Sequence, residues 1–263
     1  VTFQVRQHGV LSKTWRATVS TAAEAQACDA VIVAVRAENV DAALAEQLSK
    51  VNAAVVVLTP MLAAATARLW ERIERCSVAM PNVLAMWDGE TLDYWVPPLT
   101  RTLLGKTAKN DPDVRELRRA LRRGGIGCRF TKHVSATSRA TTVAFMPLQI
   151  AAARRPHVGR WYRDSAFVRL IALALRDSRA LARSIASPEL GIRIACWLLS
   201  APLMLGLFSR LIRFAPAAAR YLDKHFGAKV AEQTTRFSRE VFELASNSGL
   251  PAARLERLKR LQP

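Results

Sequence analysis

Arg36 directly follows the apolar run DAVIVAV (Asp29–Val35), and Thr59 and Pro60 follow a second run, AAVVVL (Ala53–Leu58). Unbroken β-branched stretches of this kind read as strands of a parallel sheet covered on both faces. In open α/β sheets, ligands bind beyond the carboxyl ends of the strands. A guanidinium held there can meet an anion through paired hydrogen bonds, and unlike a lysine it gives up no proton near neutral pH. The alternative for Arg36 is a solvated strand end. Other chemistries lack their residues: the sequence contains no P-loop, no G-x-S-x-G and no H-E-x-x-H, and no glycine-rich phosphate turn precedes Arg36. Cys28, Cys76, Cys128 and Cys196 lie far apart, with no C-x-x-C pair and no histidine at ligand spacing. They point away from a metal site and toward reduced thiols in a cytoplasmic protein.

The elements that must position these residues alternate between strand and helix. VTFQV and TWRATV are short β-prone runs ahead of DAVIVAV, and NVDAALAEQLSKV is the helix that follows it. A helix is expected from about Met61 to Glu74, then a strand at CSVAMP, a hairpin turning at Asp88-Gly89, and a strand at RTLLG. Asp111, Pro112 and Gly124 bracket an amphipathic helix as N-cap, first-turn proline and stop. IGCRFT is the last strand signal. Alternation of this kind predicts an α/β layer with a largely parallel sheet.

After residue 132 the strand signals end. Segments near 134–154, 158–185, 188–213, 215–247 and 251–261 are helix-prone, interrupted at Pro156, Pro188, Pro202, Pro216 and Pro251. The organisation read from this is a sheet domain over 1–132 and an all-helical domain over 133–263. IACWLLSAPLMLGLF (Ile194–Phe208) is uncharged for 15 residues, short of the roughly 20 that a membrane span requires, and Pro202 interrupts it. It reads as a buried core helix, with anchoring at a membrane interface as the alternative. No secretory signal opens the chain.

Hydrophobic residues make up 51% of the chain, which excludes a disordered tail, and the formal net charge is +18. A surface this basic attracts nucleic acid, anionic lipid or a phosphorylated cofactor. Aromatic and basic residues do not interleave as a base-stacking platform requires, so the arginine runs read as solvated helix faces and nucleic acid is not expected.

The order of elements resembles the ketopantoate reductase (2-dehydropantoate 2-reductase) family. DAVIVAVRAENVDAAL is similar to that family's strand and helix, VVVLTPML to the next strand and turn, and HFGAKVAEQTTRFSREVFELASNSGLPAARLERLKRL to its closing helices. The resemblance implies a partial Rossmann-type domain lacking its first strand–turn–helix, followed by a helical substrate and dimerisation domain. It also implies an NADP-dependent oxidoreductase reducing the carbonyl of a small 2-oxo acid, cytoplasmic and able to form a homodimer. Cofactor contacts carried over are Arg6, Val35, Arg36, Thr59 and Pro60. Arg6 qualifies if VTFQVRQ is the second Rossmann strand; as part of a later β-arm it would be a surface residue. Arg36 stands where the family has a lysine, and Thr59-Pro60 where it often has Asn-Gly. The family's general-acid lysine has no counterpart in HVSATSRATTVAFMPLQIAA, where Arg139 is the cation on the helix. Lys132 and Glu240 are the substitutes the resemblance offers for acid and substrate-side carboxylate. These departures keep open a non-catalytic scaffold or peripheral membrane protein that retains the fold.

Overall fold

The computed structural model describes residues 2–7, 10–16, 28–36, 39–59, 69–88, 91–97, 100–105, 111–226 and 231–261. Side chains are described from residue 28 onward, except 86–88, 217, 224–226 and 231–232. Nine strands occupy the first half of the described chain and helices the rest. The strands are β1 (Thr2–Gln7), β2 (Val10–Arg16), β3 (Ala30–Val33), β4 (Ala54–Val57), β5 (Cys76–Met80), β6 (Leu84–Asp88), β7 (Thr91–Trp95), β8 (Thr102–Gly105) and β9 (Cys128–Thr131). They form two sheets, ordered β3-β4-β5-β8-β9 and β2-β1-β7-β6.

In the five-stranded sheet β3, β4 and β5 run parallel, β8 is antiparallel to β5, and β9 is parallel to β8. Successive side chains of a strand point to opposite faces. Val55 and Val57 of β4 therefore join Val33, Val40, Leu48, Trp70 and Ile73 beneath α1 (Ala42–Ser49). Ala54 and Val56 join Ala79, Leu104, Val114 and Cys128 on the other face, beneath α2 (Pro112–Arg123). Each fully buried valine contributes roughly 1.5–3 kcal/mol. The cap of α2 forms as its sequence predicts, with the Asp111 carboxylate accepting from the Asp113 and Val114 amides. Gly124 follows the helix at ordinary negative φ, and it is Gly125 that takes the left-handed conformation (φ 79°).

Three expectations are corrected. DAVIVAV is not covered on both faces: β3 ends the sheet among the described residues, and Ile32 is 48% exposed, whereas β4 is buried throughout. VTFQVRQ is not a strand of the Rossmann-type sheet. It forms β1 of the smaller sheet, antiparallel to β2 and parallel to β7, the later β-arm of the two alternatives. The expected helix near 61–74 falls largely outside the described residues, and its described end is a 3-10 turn, Leu69–Arg72. The hairpin pairs as expected, Asp88 opposite Thr91.

No strand occurs beyond Thr131 among the described residues. Helices α3 (Val134–Arg154), α4 (Ser165–Ile185), α5 (Leu190–Leu199), α6 (Pro202–Ile212), α7 (Pro216–Phe226), α8 (Ala231–Asn247) and α9 (Ala253–Lys259) enclose a second core. Val143, Met146, Ile171, Leu175, Leu205, Val241 and Leu258 lie at its centre. The two halves meet where Val134 packs on Met80 and Leu103. Arg220 of α7 also reaches the buried Asp93 carboxylate of β7 at 3.3 Å, beside the Trp95–Tyr221 ring contact.

The apolar segment Ile194–Phe208 departs from the buried-core reading. It spans α5 and α6, which meet at a bend of 105°. Cys196 and Leu205 are buried, but Trp197 is 61% and Leu203 81% exposed. Pro202 starts α6 as its first residue, breaking the run into two helices that each turn one side outward.

Candidate functional site

A cavity of about 530 Å³ lies between the carboxyl ends of β4 and β5 and the helical half. Leu58 follows β4, Met80 ends β5, and Pro81 to Leu84 continue from it into the cavity wall. Across from them, α3 presents Ser138, Thr141, Thr142, Phe145, Leu148, Gln149 and Ala152, a spacing that repeats with the helical turn. Helix α8 adds Gln233, Thr234 and Phe237, and the inner faces of α5 and α6 add Ile192, Leu199, Phe208 and Ile212. This is the size and mostly apolar lining of a small-molecule site.

Its polar groups are neutral. Thr142 Oγ1 donates to the Ser138 carbonyl at 3.0 Å, Thr141 Oγ1 accepts from the Glu189 amide at 3.4 Å, and the Asn82 amide donates to the Arg101 carbonyl. Thr234 Oγ1 is buried and has no hydrogen-bond partner among the described residues. An unmade hydrogen bond at a buried hydroxyl costs about 1–3 kcal/mol, which a ligand oxygen or amide would relieve. No ionisable side chain lines the cavity among the described residues. The nearby thiol is inert: Cys196 is fully buried, which pushes it up to about 12.

The residues singled out from sequence lie around this cavity rather than in it. Thr59 is buried, and its hydroxyl donates to the Val35 carbonyl at 2.6 Å, so it ties the ends of β3 and β4 together. Val35 packs on the core beneath α1. Arg36 is exposed at the carboxyl end of β3, where its carbonyl accepts from the Asn39 amide at 3.0 Å; it is not among the cavity-lining residues. Pro60 lies outside the described residues, and of Arg6 only the backbone, in β1, is described. Lys132 is exposed in the turn between β9 and α3. Glu240 pairs with Arg236 at 3.3 Å on α8, one turn beyond Phe237, and does not line the cavity. Sequence reasoning missed Ser138, Thr234 and Asn82. The hydroxyl-rich face of α3, repeating at three and four residues, was the signal for the first; nothing local marks the other two.

No protein-family model and no curated protein sequence matches the chain. Solved structures do match it in shape. One is 2-dehydropantoate 2-reductase from Geobacter metallireducens, with TM-score 0.67 at 15% identity, covering 98% of this chain and 85% of that one. The chain has the ketopantoate reductase fold. A dimeric ketopantoate reductase from Staphylococcus aureus matches with TM-score 0.60 at 11% identity, over 98% of this chain and 85% of its own. D-mandelate dehydrogenase, in a ternary structure with NADH and anilino(oxo)acetate, matches with TM-score 0.58 at 11% identity, over 98% and 83%. Within that fold, the cavity lies between the sheet-bearing half and the helical half.

Proposed function

We propose that this protein is a pyridine-nucleotide-dependent reductase of the ketopantoate reductase type whose cleft takes an apolar carbonyl compound. The observation that carries this is the cleft itself, at the carboxyl edge of a parallel β-strand pair, apolar-walled and free of charge among the described residues. A small 2-oxo acid is the poorer fit. Its carboxylate would enter with no cation among the lining residues, and an unpaired buried charge costs several kcal/mol. Aromatic and branched carbonyl compounds would instead contact Phe145, Trp161, Phe208 and Phe237.

A dinucleotide fits the described residues at one end only. Leu58 and Met80 offer the nicotinamide ring an apolar seat, and Arg36 stands at the end of β3 for a phosphate. The 263 residues contain no G-x-G-x-x-G turn, so they supply no glycine-rich cradle for the pyrophosphate. The nucleotide would supply the hydride. The chain's part is to exclude water and to orient the carbonyl oxygen toward the hydroxyls of Ser138, Thr142 and Thr234.

One observation favours a second reading, binding without turnover. Carbonyl reduction calls for a proton donor tuned near neutral pH, and neither Lys132 nor Glu240 lines the cleft. Titration with NADPH and NADH by nicotinamide fluorescence, with and without carbonyl compounds graded from small 2-oxo acids to aryl and branched ketones, separates the two. Nucleotide binding strengthened by the apolar compounds, with oxidation of the nucleotide, supports the reductase. Binding of the apolar compounds with no nucleotide response assigns the cleft to ligand binding alone.

A further inference from the structure

Of the ten large hydrophobic side chains exposed among the described residues, nine fall between Leu190 and Phe214. On α5 they are Leu190, Ile194, Trp197 and Leu198; on α6 and just beyond it, Leu203, Met204, Leu207, Leu211 and Phe214. Spacings of three, four and seven put each set on one side of its helix. Single exposed apolar side chains are ordinary, but a concentration of this kind marks a surface that is covered in use.

Charge decides what covers it. Arg193, Arg210 and Arg213 are exposed on the same segment, and none of them meets a carboxylate among the described residues. From residue 190 to 222 the sequence contains no aspartate or glutamate. Arg163 and Arg213 both reach the Tyr162 hydroxyl, at 3.5 and 3.0 Å, and Arg213 also lies 4.4 Å over the Phe214 ring. Arg179 bonds Ser200 at the bend between the helices. A second copy of this chain would set arginine against arginine with no acid on the segment to pair them, and each copy carries +18. An anionic lipid surface is complementary in both respects, with acyl chains for the apolar side and phosphates for the guanidiniums.

We infer that the α5–α6 face docks on anionic membrane surfaces, lying in the interface rather than crossing it. No single helix among the described residues is long and apolar enough to cross, and helices of 10 and 11 residues are each about 15 Å long against a hydrocarbon core of about 30 Å. Their inner sides are already used: Cys196, Leu205 and Ser209 are buried, and Leu199 and Phe208 line the cleft. Trp197 and Phe214 are aromatic side chains of the kind that settle at headgroup depth. This inference stands independently of the reductase reading.

Co-sedimentation of the full chain with sucrose-loaded vesicles tests it, using phosphatidylcholine alone and phosphatidylcholine with about one-third phosphatidylglycerol. Binding to the anionic vesicles is expected, weakened by salt and at least tenfold lower on phosphatidylcholine alone. Leu203→Ser with Leu211→Ser should lower binding by roughly tenfold or more, and Arg210→Gln with Arg213→Gln by about tenfold. All four positions are exposed, so both double variants should keep the parent's circular dichroism, and the charge pair tests the idea without touching apolar packing. No binding to anionic vesicles, or binding that neither double variant weakens, overturns the inference. So does a concentration-dependent dimer in sedimentation velocity that Leu203→Glu dissolves, for that assigns the face to a second copy.

Discussion

The Thr59 hydroxyl donates to the Val35 carbonyl across 2.6 Å, linking the chain just past β4 to the chain just past β3. The bond fixes the segment that carries Arg36 relative to the cavity wall at Leu58. Thr59→Val removes the donor and leaves a carbonyl short of a partner, at a cost of about 1 kcal/mol. The expected outcome is a lower denaturant midpoint with an unchanged slope, together with weaker nucleotide binding. An unchanged midpoint would mean that the strand ends hold their spacing without it.

Arg36 is exposed at that strand end, and its proposed role is an anion contact for the nucleotide rather than a proton transfer. Arg36→Ala should weaken nucleotide affinity by about tenfold, the low end for a charge-assisted hydrogen bond because water screens the site. Arg36→Lys keeps the charge, loses paired geometry and should fall between. Thermal stability should change little in either. Equal affinities in all three proteins, measured by fluorescence titration, would make Arg36 a solvated strand end.

Local signals in the sequence carried the elements and not their neighbours. Asp111-Pro112 announces the start of α2 because the cap needs only the next three residues, and the loss of strand signals after Thr131 reports composition alone. The pairing of β1 with β7 rather than with the five-stranded sheet depends on contacts across more than 80 residues, which no short pattern encodes. The exposure of α5 and α6 was hidden for the same reason. An apolar run is identical in sequence whether one of its sides faces a core or solvent, and only the bend at Pro202 separates the two. Thr234 became a candidate only when folding placed it opposite Ser138, nearly a hundred positions away.

Asp111 makes the fold sensitive to acid. Burial pushes its carboxyl up, but the Arg75 guanidinium, at 2.9–3.1 Å, and the Val114 and Asp113 amides outweigh this and hold it below its ordinary 3.8. A carboxyl depressed on folding contributes stability that is present above its unfolded value and lost as pH falls through the folded one. Asp164, held down by the Phe167 amide and Arg155, acts in the same direction. Tm should therefore be level near neutrality and fall steadily below about pH 4. Asp111→Asn keeps a capping side chain but loses the ion pair, so its Tm should be lower at pH 7 and its acid limb shallower. Parallel curves for variant and parent would remove Asp111 from the acid response.

Thr234 offers the sharpest separation of ligand binding from fold. Its hydroxyl is buried at the cavity wall without a partner, so it contributes nothing to the unliganded protein and carries a desolvation cost. Thr234→Val puts a methyl group in place of that hydroxyl with little change of shape. Stability without ligand should be unchanged or higher by up to about 1 kcal/mol, while affinity for a carbonyl ligand falls by roughly tenfold. The opposite signs are what distinguish a ligand-facing hydroxyl from a structural one, whose loss would lower stability and leave affinity alone. Thermal melting of the unliganded variant, paired with isothermal titration against the tightest apolar ketone, reads both signs on one preparation.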